Sequence, residues 1–251
     1  MNFLILLNNY GFFNYPVDFM VDFKHYGNVL KEEIKLAFTN NKYFLLASVL
    51  IFIIPMILGY IYADKIASYI QPMVDTFEKN VEDGTVTLAT DSIFINNLTV
   101  SVMLYALSAL GAVLGIVILA NNGMFIGFYG TRVPLDAYII LTLPHGIFEL
   151  PSIIIATTAG FTLLSFALHF IYNILSPDYS HAGLTDSDGK LSVKGRISQS
   201  LNKNQHRIKE SFILFCISVV LLIIAAFIEA NLTLPLANWI YSFMGNGTVL
   251  V

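Results

Sequence analysis

The residues best suited to chemistry lie in one short motif, LPHGIFELP, which runs from Leu143 to Pro151. His145 and Glu149 stand four residues apart in it, so a helix would place the imidazole and the carboxylate on one face. Such a pair could bind a metal ion, relay protons, or hydrogen-bond with each other and with the free amides of a helix start. Two ligands do not complete a metal site, and the motif lacks the second histidine of H-E-x-x-H. His145 and Glu149 are therefore only candidate metal ligands, and no cofactor is predicted.

Four further polar residues could join this pair inside a membrane bundle. Glu229 ends an apolar stretch in FIEANLT, where its carboxylate either stays in solvent at the boundary or turns inward. Arg132 and Asp136 are four residues apart and could neutralise each other on one helical face. Ionisable groups at membrane depth are costly and usually face the bundle interior, a partner group or water. We therefore predict a buried polar cluster of His145, Glu149, Asn97, Asn122, Glu229 and Arg132.

Glycines at helical spacing are candidates for close helix packing. They form two G-x-x-x-G pairs and one pair with Ala156, and they are Gly111, Gly115, Gly123, Gly127 and Gly160. Small residues at this spacing let the backbones of two membrane helices approach closely. We predict that they pack within one subunit; a seam between two copies in a homo-oligomer is the alternative.

These groups must be positioned by membrane helices, because the composition excludes a soluble domain. The chain of 251 residues is 56% hydrophobic and only 12% charged, which is more apolar surface than one core can bury. A net charge of −4 with few basic residues excludes a nucleic-acid partner. The single cysteine, Cys216, excludes an internal disulfide framework. The expected partners are membrane lipids and other membrane or envelope proteins.

Apolar stretches predict an all-α, polytopic membrane fold with about five transmembrane helices. The predicted spans are 43–63, 93–120, 123–143, 144–175 and 211–229, with a re-entrant hairpin as the alternative for 123–143. Residues 1–42 form an N-terminal segment with a candidate helix on the membrane surface; the alternative is an ordinary capping helix. Residues 176–210 are predicted to be a solvated cytoplasmic connector, and residues 231–251 a short tail outside the cell.

The positions of lysine and arginine predict the topology, because cytoplasmic loops retain positive charge. The segment before the first span carries four lysines, and the connector carries Lys190, Lys194, Arg196, Lys203, Arg207 and Lys209. The loop after the first span is mainly acidic, and the tail after Asn231 has no lysine or arginine. Five spans in the plasma membrane, with the N-terminus cytoplasmic and the C-terminus outside, satisfy all of these positions.

Four motifs resemble those of the stage II sporulation protein M family and occur in the same order. They are INNLTV at Ile95–Val100, NNGMFIG at Asn121–Gly127, LPHGIFELPSIIIATTAG at Leu143–Gly160 and AAFIEANLT at Ala225–Thr233. The resemblance covers roughly Tyr43 to Thr233. Within the family, the chain looks like a non-sporulation prokaryotic member. In spore-formers the namesake is a membrane protein that assembles with peptidoglycan-degrading partners, so the resemblance implies a partner-recruiting membrane protein.

Three functions follow from these observations. The first is a non-enzymatic scaffold in which the polar cluster is a closed structural core. The second is a conduit or transporter for an ion, a small solute or a lipid, which needs the same groups to face a hollow. The third is an intramembrane metal-dependent enzyme, which needs a third protein ligand beside His145 and Glu149.

Overall fold

The computed structural model describes residues 23–82, 90–176 and 193–243, and every regular element in these ranges is a helix. Five helical stretches are long and apolar enough to cross a membrane, which confirms the predicted all-α membrane fold with about five spans. The elements are α1 (Phe23–Asn40), α2 (Lys42–Ile61), α3 (Ala63–Glu82), α4 (Thr90–Leu110), α5 (Ala112–Tyr129), α6 (Leu135–Leu175), α7 (Val193–Ile228), a π-helical turn (Glu229–Thr233) and α8 (Leu234–Phe243).

The chain divides into two compact units, Met1–Glu33 and Ile34–Val251. Of the first unit, the structure describes the beginning of α1, where Tyr26, Val29 and Leu30 are exposed. The predicted N-terminal helix is therefore present, and its place on a membrane surface stays a prediction. The second unit holds the helix bundle.

Helix α6 is the centre of this bundle and contacts α2, α4, α5 and α7. Hydrogen bonds show that α7 runs antiparallel to it: Ser152 bonds with Ser218, Ala159 with Ser211, Ser165 with Arg207 and Phe170 with Ser200. Helix α2 is also antiparallel to α6, because Asn41 bonds to Thr162 and Ser48 bonds to Thr158. Helix α4 runs antiparallel to α7 and the π-helical turn, because Tyr105 bonds to Ser211 and Thr90 bonds to Asn231. It therefore runs in the same direction as α6, and we name the two ends of the bundle after Glu149 and Glu210.

Glycines let α5 lie against α2. A Cβ atom on Gly123 would collide with the Phe52 carbonyl, and one on Gly127 would collide with the Met56 carbonyl. Both obstacles are backbone atoms, which cannot move aside as a flexible side chain could. Gly123 lies against Phe52 and Gly127 against Met56, so residue numbers increase in the same direction on both helices, and α2 and α5 run in parallel.

Ser108 of α4 is the meeting point for two more glycines. Cβ atoms built on Gly115 and on Gly160 would each collide with Ser108. Gly111 behaves differently, because a Cβ atom there would meet nothing within 4 Å. Gly111 therefore does not pack closely within the described part of the chain, and a seam between two copies stays a prediction. In this structure the residue marks a break between two helices.

The predicted spans 93–120 and 123–143 do not correspond to single helices. The chain breaks at Gly111, whose backbone is extended with φ −176° and ψ 121°, and again in a turn before Pro134. Helix α4 ends before the first break, and α5 occupies the whole interval between the two breaks. The number of candidate spans among the described residues is five, as predicted, but the boundaries between the second, third and fourth spans differ from the predicted ones.

The break at Gly111 preserves the hydrogen bonds around it. The Gly111 N–H donates to the Leu107 carbonyl (3.0 Å), and the Gly111 carbonyl accepts from the Leu114 N–H (3.1 Å). Apolar residues flank it on both sides. Hydropathy measures only the length of an apolar stretch. A prediction based on it therefore treats two helices as one when a single residue separates them.

Helix α6 begins before the predicted span 144–175. Pro134 precedes its first turn, and the Pro134 carbonyl accepts from the Tyr138 N–H (2.9 Å). Pro144, the first residue of the predicted span, lies inside α6. With 41 residues, α6 is about 60 Å long, roughly twice the ~30 Å thickness of a bilayer core.

The predicted connector and tail are also more helical than expected. Helix α7 begins at Val193, so the second half of the connector 176–210 continues directly into the last span. After the predicted end of that span, the π-helical turn leads into α8, which reaches Phe243. Helix α7, the π-helical turn and α8 follow one another without an interruption, from Val193 to Phe243. The other parts of these two predictions, residues 177–192 and 244–251, and the start of the N-terminal segment, residues 1–22, lie outside the described residues.

Candidate functional site

A cavity of about 350 Å³ lies at the Glu149 end of the bundle, between α4, α5, α6 and the π-helical turn. Its lining includes the amide or ionisable side chains of Asn96, Asn97, Asn122, His145, Glu149 and Glu229, and the hydroxyl-bearing side chains of Tyr129, Tyr138 and Thr142. Its volume falls in the ~300–1,000 Å³ range of small-ligand sites. The structure thus brings together five of the six residues of the predicted polar cluster around a hollow.

His145 and Glu149 project from adjacent turns of α6 into this cavity. Their side chains are 14% and 27% exposed, and His145 Nε2 lies 3.9 Å from Glu149 Oε2. This distance is too long for a hydrogen bond. The other ring nitrogen, His145 Nδ1, is buried and has no hydrogen-bond partner among the described residues. The two side chains are therefore close to each other, but no hydrogen bond joins them.

Glu229 joins this pair from the opposite helix. His145, Glu149 and Glu229 each offer one ligand atom, and these three atoms all lie within 4.8 Å of one another. Glu229 opens the π-helical turn Glu229–Thr233, in which Thr233 Oγ1 donates to the Ile228 carbonyl at 3.3 Å. π-helical turns are rare in proteins, and many of those that occur lie at functional sites. The three residues could hold one cation.

The asparagines add amide groups to the cavity wall. Asn122 Nδ2 donates to the Ile118 carbonyl of its own helix (2.9 Å), and Asn96 Nδ2 donates to Asn97 Oδ1 (3.4 Å). Asn96 was not part of the predicted cluster, although its position beside Asn97 in INNLTV was a signal for it. Carboxamide groups in a cavity wall can bind a polar ligand without adding charge to it.

The cavity lining is acidic. Its described lining includes two carboxylates, Glu149 and Glu229, and contains no lysine or arginine. An unpaired carboxylate within a membrane bundle is costly unless it meets a cation, a hydrogen-bond donor or water. The cavity therefore suits a positively charged group and disfavours an anion.

Arg132 does not join the cluster, which corrects the sequence-based prediction. It is exposed in the turn between α5 and α6, where its guanidinium lies 4.4 Å from the centre of the Phe128 ring. Pro134 separates it from Asp136, which lies in the first turn of α6. The four-residue spacing of Arg132 and Asp136 therefore does not place them on one helical face.

Sequence reasoning missed a second polar cluster, at the Glu210 end. Glu210 is 6% exposed and accepts hydrogen bonds from Asn40 Nδ2 (2.6 Å) and Asn41 Nδ2 (2.9 Å). Asn41 Oδ1 in turn accepts from Thr162 Oγ1 (3.0 Å). Glu210 directly before an apolar run was the available signal, but its partners lie far away in the sequence. This cluster is paired internally and joins α1, α2, α6 and α7.

Comparison with known proteins agrees with the motif resemblance. Residues 48–234 match the protein family Stage II sporulation protein M. An uncharacterised protein of Methanocaldococcus jannaschii is 28% identical over 222 residues, which cover 85% of this chain and 91% of that relative. A second uncharacterised protein of the same organism is 31% identical over 121 residues, which cover 48% of this chain and 54% of that relative. No solved structure matches the chain.

Proposed function

Since the chain belongs to the stage II sporulation protein M family of membrane proteins, we propose that it binds a positively charged group in the Glu149-end cavity and acts as a conduit for it. The observation that carries this proposal is the convergence of His145, Glu149 and Glu229 around a hollow whose described lining has no lysine or arginine. A closed structural core would instead pair these groups with one another, as Glu210 is paired with its asparagines.

Binding and flux in reconstituted protein test this proposal. Purified protein should bind a cation probe such as Mn²⁺, and proteoliposomes should show cation flux above empty liposomes. Glu149→Gln removes one charge at nearly constant shape and should lower affinity and flux by about tenfold, which corresponds to ~1.4 kcal/mol.

Asp136→Asn is the matched control for this experiment. It removes an exposed carboxylate from the same helix, outside the described lining of the cavity. This variant should behave as the wild type. Equal flux through wild-type protein and Glu149→Gln, or no cation binding at all, would refute the proposal.

A metal-dependent enzyme is the second candidate function, supported by the same three residues. One histidine and two carboxylates with ligand atoms within 4.8 Å supply the three protein ligands that catalytic zinc sites use beside one open position. Metal analysis of purified protein separates the two functions. A stoichiometric metal that is lost in His145→Ala would favour the enzyme, whereas less than about 0.1 metal per chain would remove it.

The scaffold role remains a proposal for the Glu210 end. Helix α6 is longer than a bilayer is thick, so α6 and α7 extend beyond the apolar core. Leu168, Ile171 and Tyr172 are exposed near the end of α6, where a partner protein could pack against them. Cross-linking from this end in cells would identify such a partner, and this role is compatible with ligand binding at the other end.

The proposed topology places the Glu149 end outside the cell and the Glu210 end in the cytoplasm. Alternating directions of the five spans and the basic residues of α7 support it.

A further inference from the structure

A second, apolar cavity lies beside the polar one. Its volume is about 440 Å³, and it is lined by α2, α5 and α6 through residues such as Ile53, Met56, Ile147 and Pro151. Ile147 is 57% exposed, and the neighbouring Ile139 and Leu143 are exposed as well. In a chain that spans a membrane, exposed apolar residues of this kind face the acyl chains of the bilayer. The apolar cavity is therefore a groove open to lipid.

The two cavities share one wall. Five residues line both of them: Ile126 of α5, and Tyr138, Thr142, Gly146 and Leu150 of α6. The four residues of α6 recur at every fourth position, so they form a single stripe along the helix. Only this stripe and one isoleucine separate the lipid-facing groove from the carboxylates.

The shared wall is thin near its middle. Gly146 has no side chain, and a Cβ atom built there would come no closer than 3.6 Å to its nearest neighbour, Thr142 Cγ2. One hydrogen bond crosses the seam between α5 and α6, from the Tyr138 hydroxyl to the Ile126 carbonyl (3.0 Å). That carbonyl also accepts from the Gly130 N–H, so the Tyr138 bond can open without leaving it unpaired.

We infer that the groove and the polar cavity form one site for a membrane lipid with a primary-amine headgroup. The inference rests on the proposed function and specifies its ligand. The amine would lie near Glu149 and Glu229, which attract a cation and accept its hydrogen bonds, and the hydrocarbon chain would lie in the apolar groove. The lipid enters sideways from the bilayer through the seam between α5 and α6. Headgroups that carry only negative charge are disfavoured, because the described lining holds two carboxylates and offers them no lysine or arginine.

Native mass spectrometry of the purified full-length protein tests this inference. The probes are lipids with identical dioleoyl chains and different headgroups: phosphatidylethanolamine, with a primary amine, and phosphatidylglycerol, without one. We expect about tenfold greater retention of phosphatidylethanolamine. Glu149→Gln should abolish this preference, because it removes the charge that distinguishes the two headgroups.

A matched pair of variants tests the groove. Ile147→Trp enlarges a side chain that lines the groove and not the polar cavity, whereas Ile171→Trp makes the same change at an exposed position far along α6. Ile147→Trp should lower phosphatidylethanolamine retention severalfold and leave Mn²⁺ binding unchanged. Ile171→Trp should alter neither.

Two outcomes would overturn the inference while leaving the proposed function intact. One is equal retention of both lipids by a protein that still binds Mn²⁺ through Glu149. The other is unchanged lipid preference in Ile147→Trp. Absence of Mn²⁺ binding and flux, together with a preserved headgroup preference, would instead refute the cation conduit and keep the lipid site.

Discussion

Single residues distinguish two kinds of carboxylate in this bundle. Glu210 accepts hydrogen bonds from two asparagines and is held in a paired cluster. Glu149 faces a cavity, with the His145 imidazole at 3.9 Å and a carboxylate oxygen of Glu229 within 4.8 Å. Because an unsatisfied carboxylate is costly inside a membrane, this difference in pairing supports the ligand-binding role that we propose for Glu149.

Removing the Glu210 carboxylate should destabilise the protein. Glu210→Ala removes the carboxylate that accepts from the Asn40 and Asn41 amides, of which Asn41 keeps its bond to the Ala37 carbonyl, so the free energy of unfolding should fall by about 2 kcal/mol. Asp136→Ala, which removes an exposed carboxylate, should change it by less than about 0.5 kcal/mol. Thermal unfolding in one detergent measures both, and equal effects would contradict the paired role of Glu210.

His145 and Glu149 should behave as a coupled pair. Single changes to alanine should each destabilise the protein, and the double change should cost less than their sum, because either change alone already removes the interaction between them. A double-mutant cycle of unfolding free energies measures this coupling. Simple additivity would show that the 3.9 Å approach has no energetic consequence.

At the scale of helices, small residues decide which spans can touch. Gly123 and Gly127 allow α5 to lie against the backbone of α2, and Gly160 and Gly115 make room for Ser108. A Cβ atom on Gly111 would meet open space, and this residue follows the end of α4. Glycines of the same spacing therefore serve different purposes, which depend on what lies opposite each of them.

The same substitution at two glycines should reveal this difference. Gly127→Ala places a methyl group against the Met56 carbonyl and should lower the free energy of unfolding by about 1–3 kcal/mol. Gly111→Ala places it in open space, on an extended backbone that any residue adopts, and should be nearly neutral. Thermal unfolding of the two variants in parallel checks this, and a Gly127→Ala protein as stable as Gly111→Ala would mean that α2 and α5 are not closely packed.

At the scale of the whole molecule, the bundle has two chemically different ends. One end holds the cavity with Glu149 and Glu229, and the other holds the paired Glu210 cluster and the basic residues of α7. In the proposed topology, these two ends of the bundle lie on opposite sides of the membrane. The orientation therefore decides which compartment supplies the ligand.

Cysteine labelling tests this orientation. In a Cys216→Ala background, Ser192→Cys lies in the basic connector and Ser242→Cys lies near the end of α8, so both sites carry the same substitution. An impermeant maleimide applied to intact cells should label Ser242→Cys and leave Ser192→Cys unlabelled until the cells are opened. The reverse pattern would invert the proposed topology and place the Glu149 end in the cytoplasm.

Local properties of the sequence determined the class of the protein and its central motif. Apolar length identified a membrane bundle of about five helices, because each span must be apolar along its own length. The four-residue spacing placed His145 and Glu149 on one helical face, because both residues belong to the same helix. The motifs also identified the family, whose match covers residues 48–234.

Only the tertiary structure decided which distant residues complete each cluster. Glu229 reaches His145 and Glu149 from the π-helical turn after α7, and Glu210 meets Asn40 and Asn41, because the packing of the helices brings them together. Gly111 and the turn before Pro134 set where helices end, and that turn keeps Arg132 away from the cavity. Hydropathy and residue spacing are properties of one segment, whereas turns and helix register depend on the packing of several segments together.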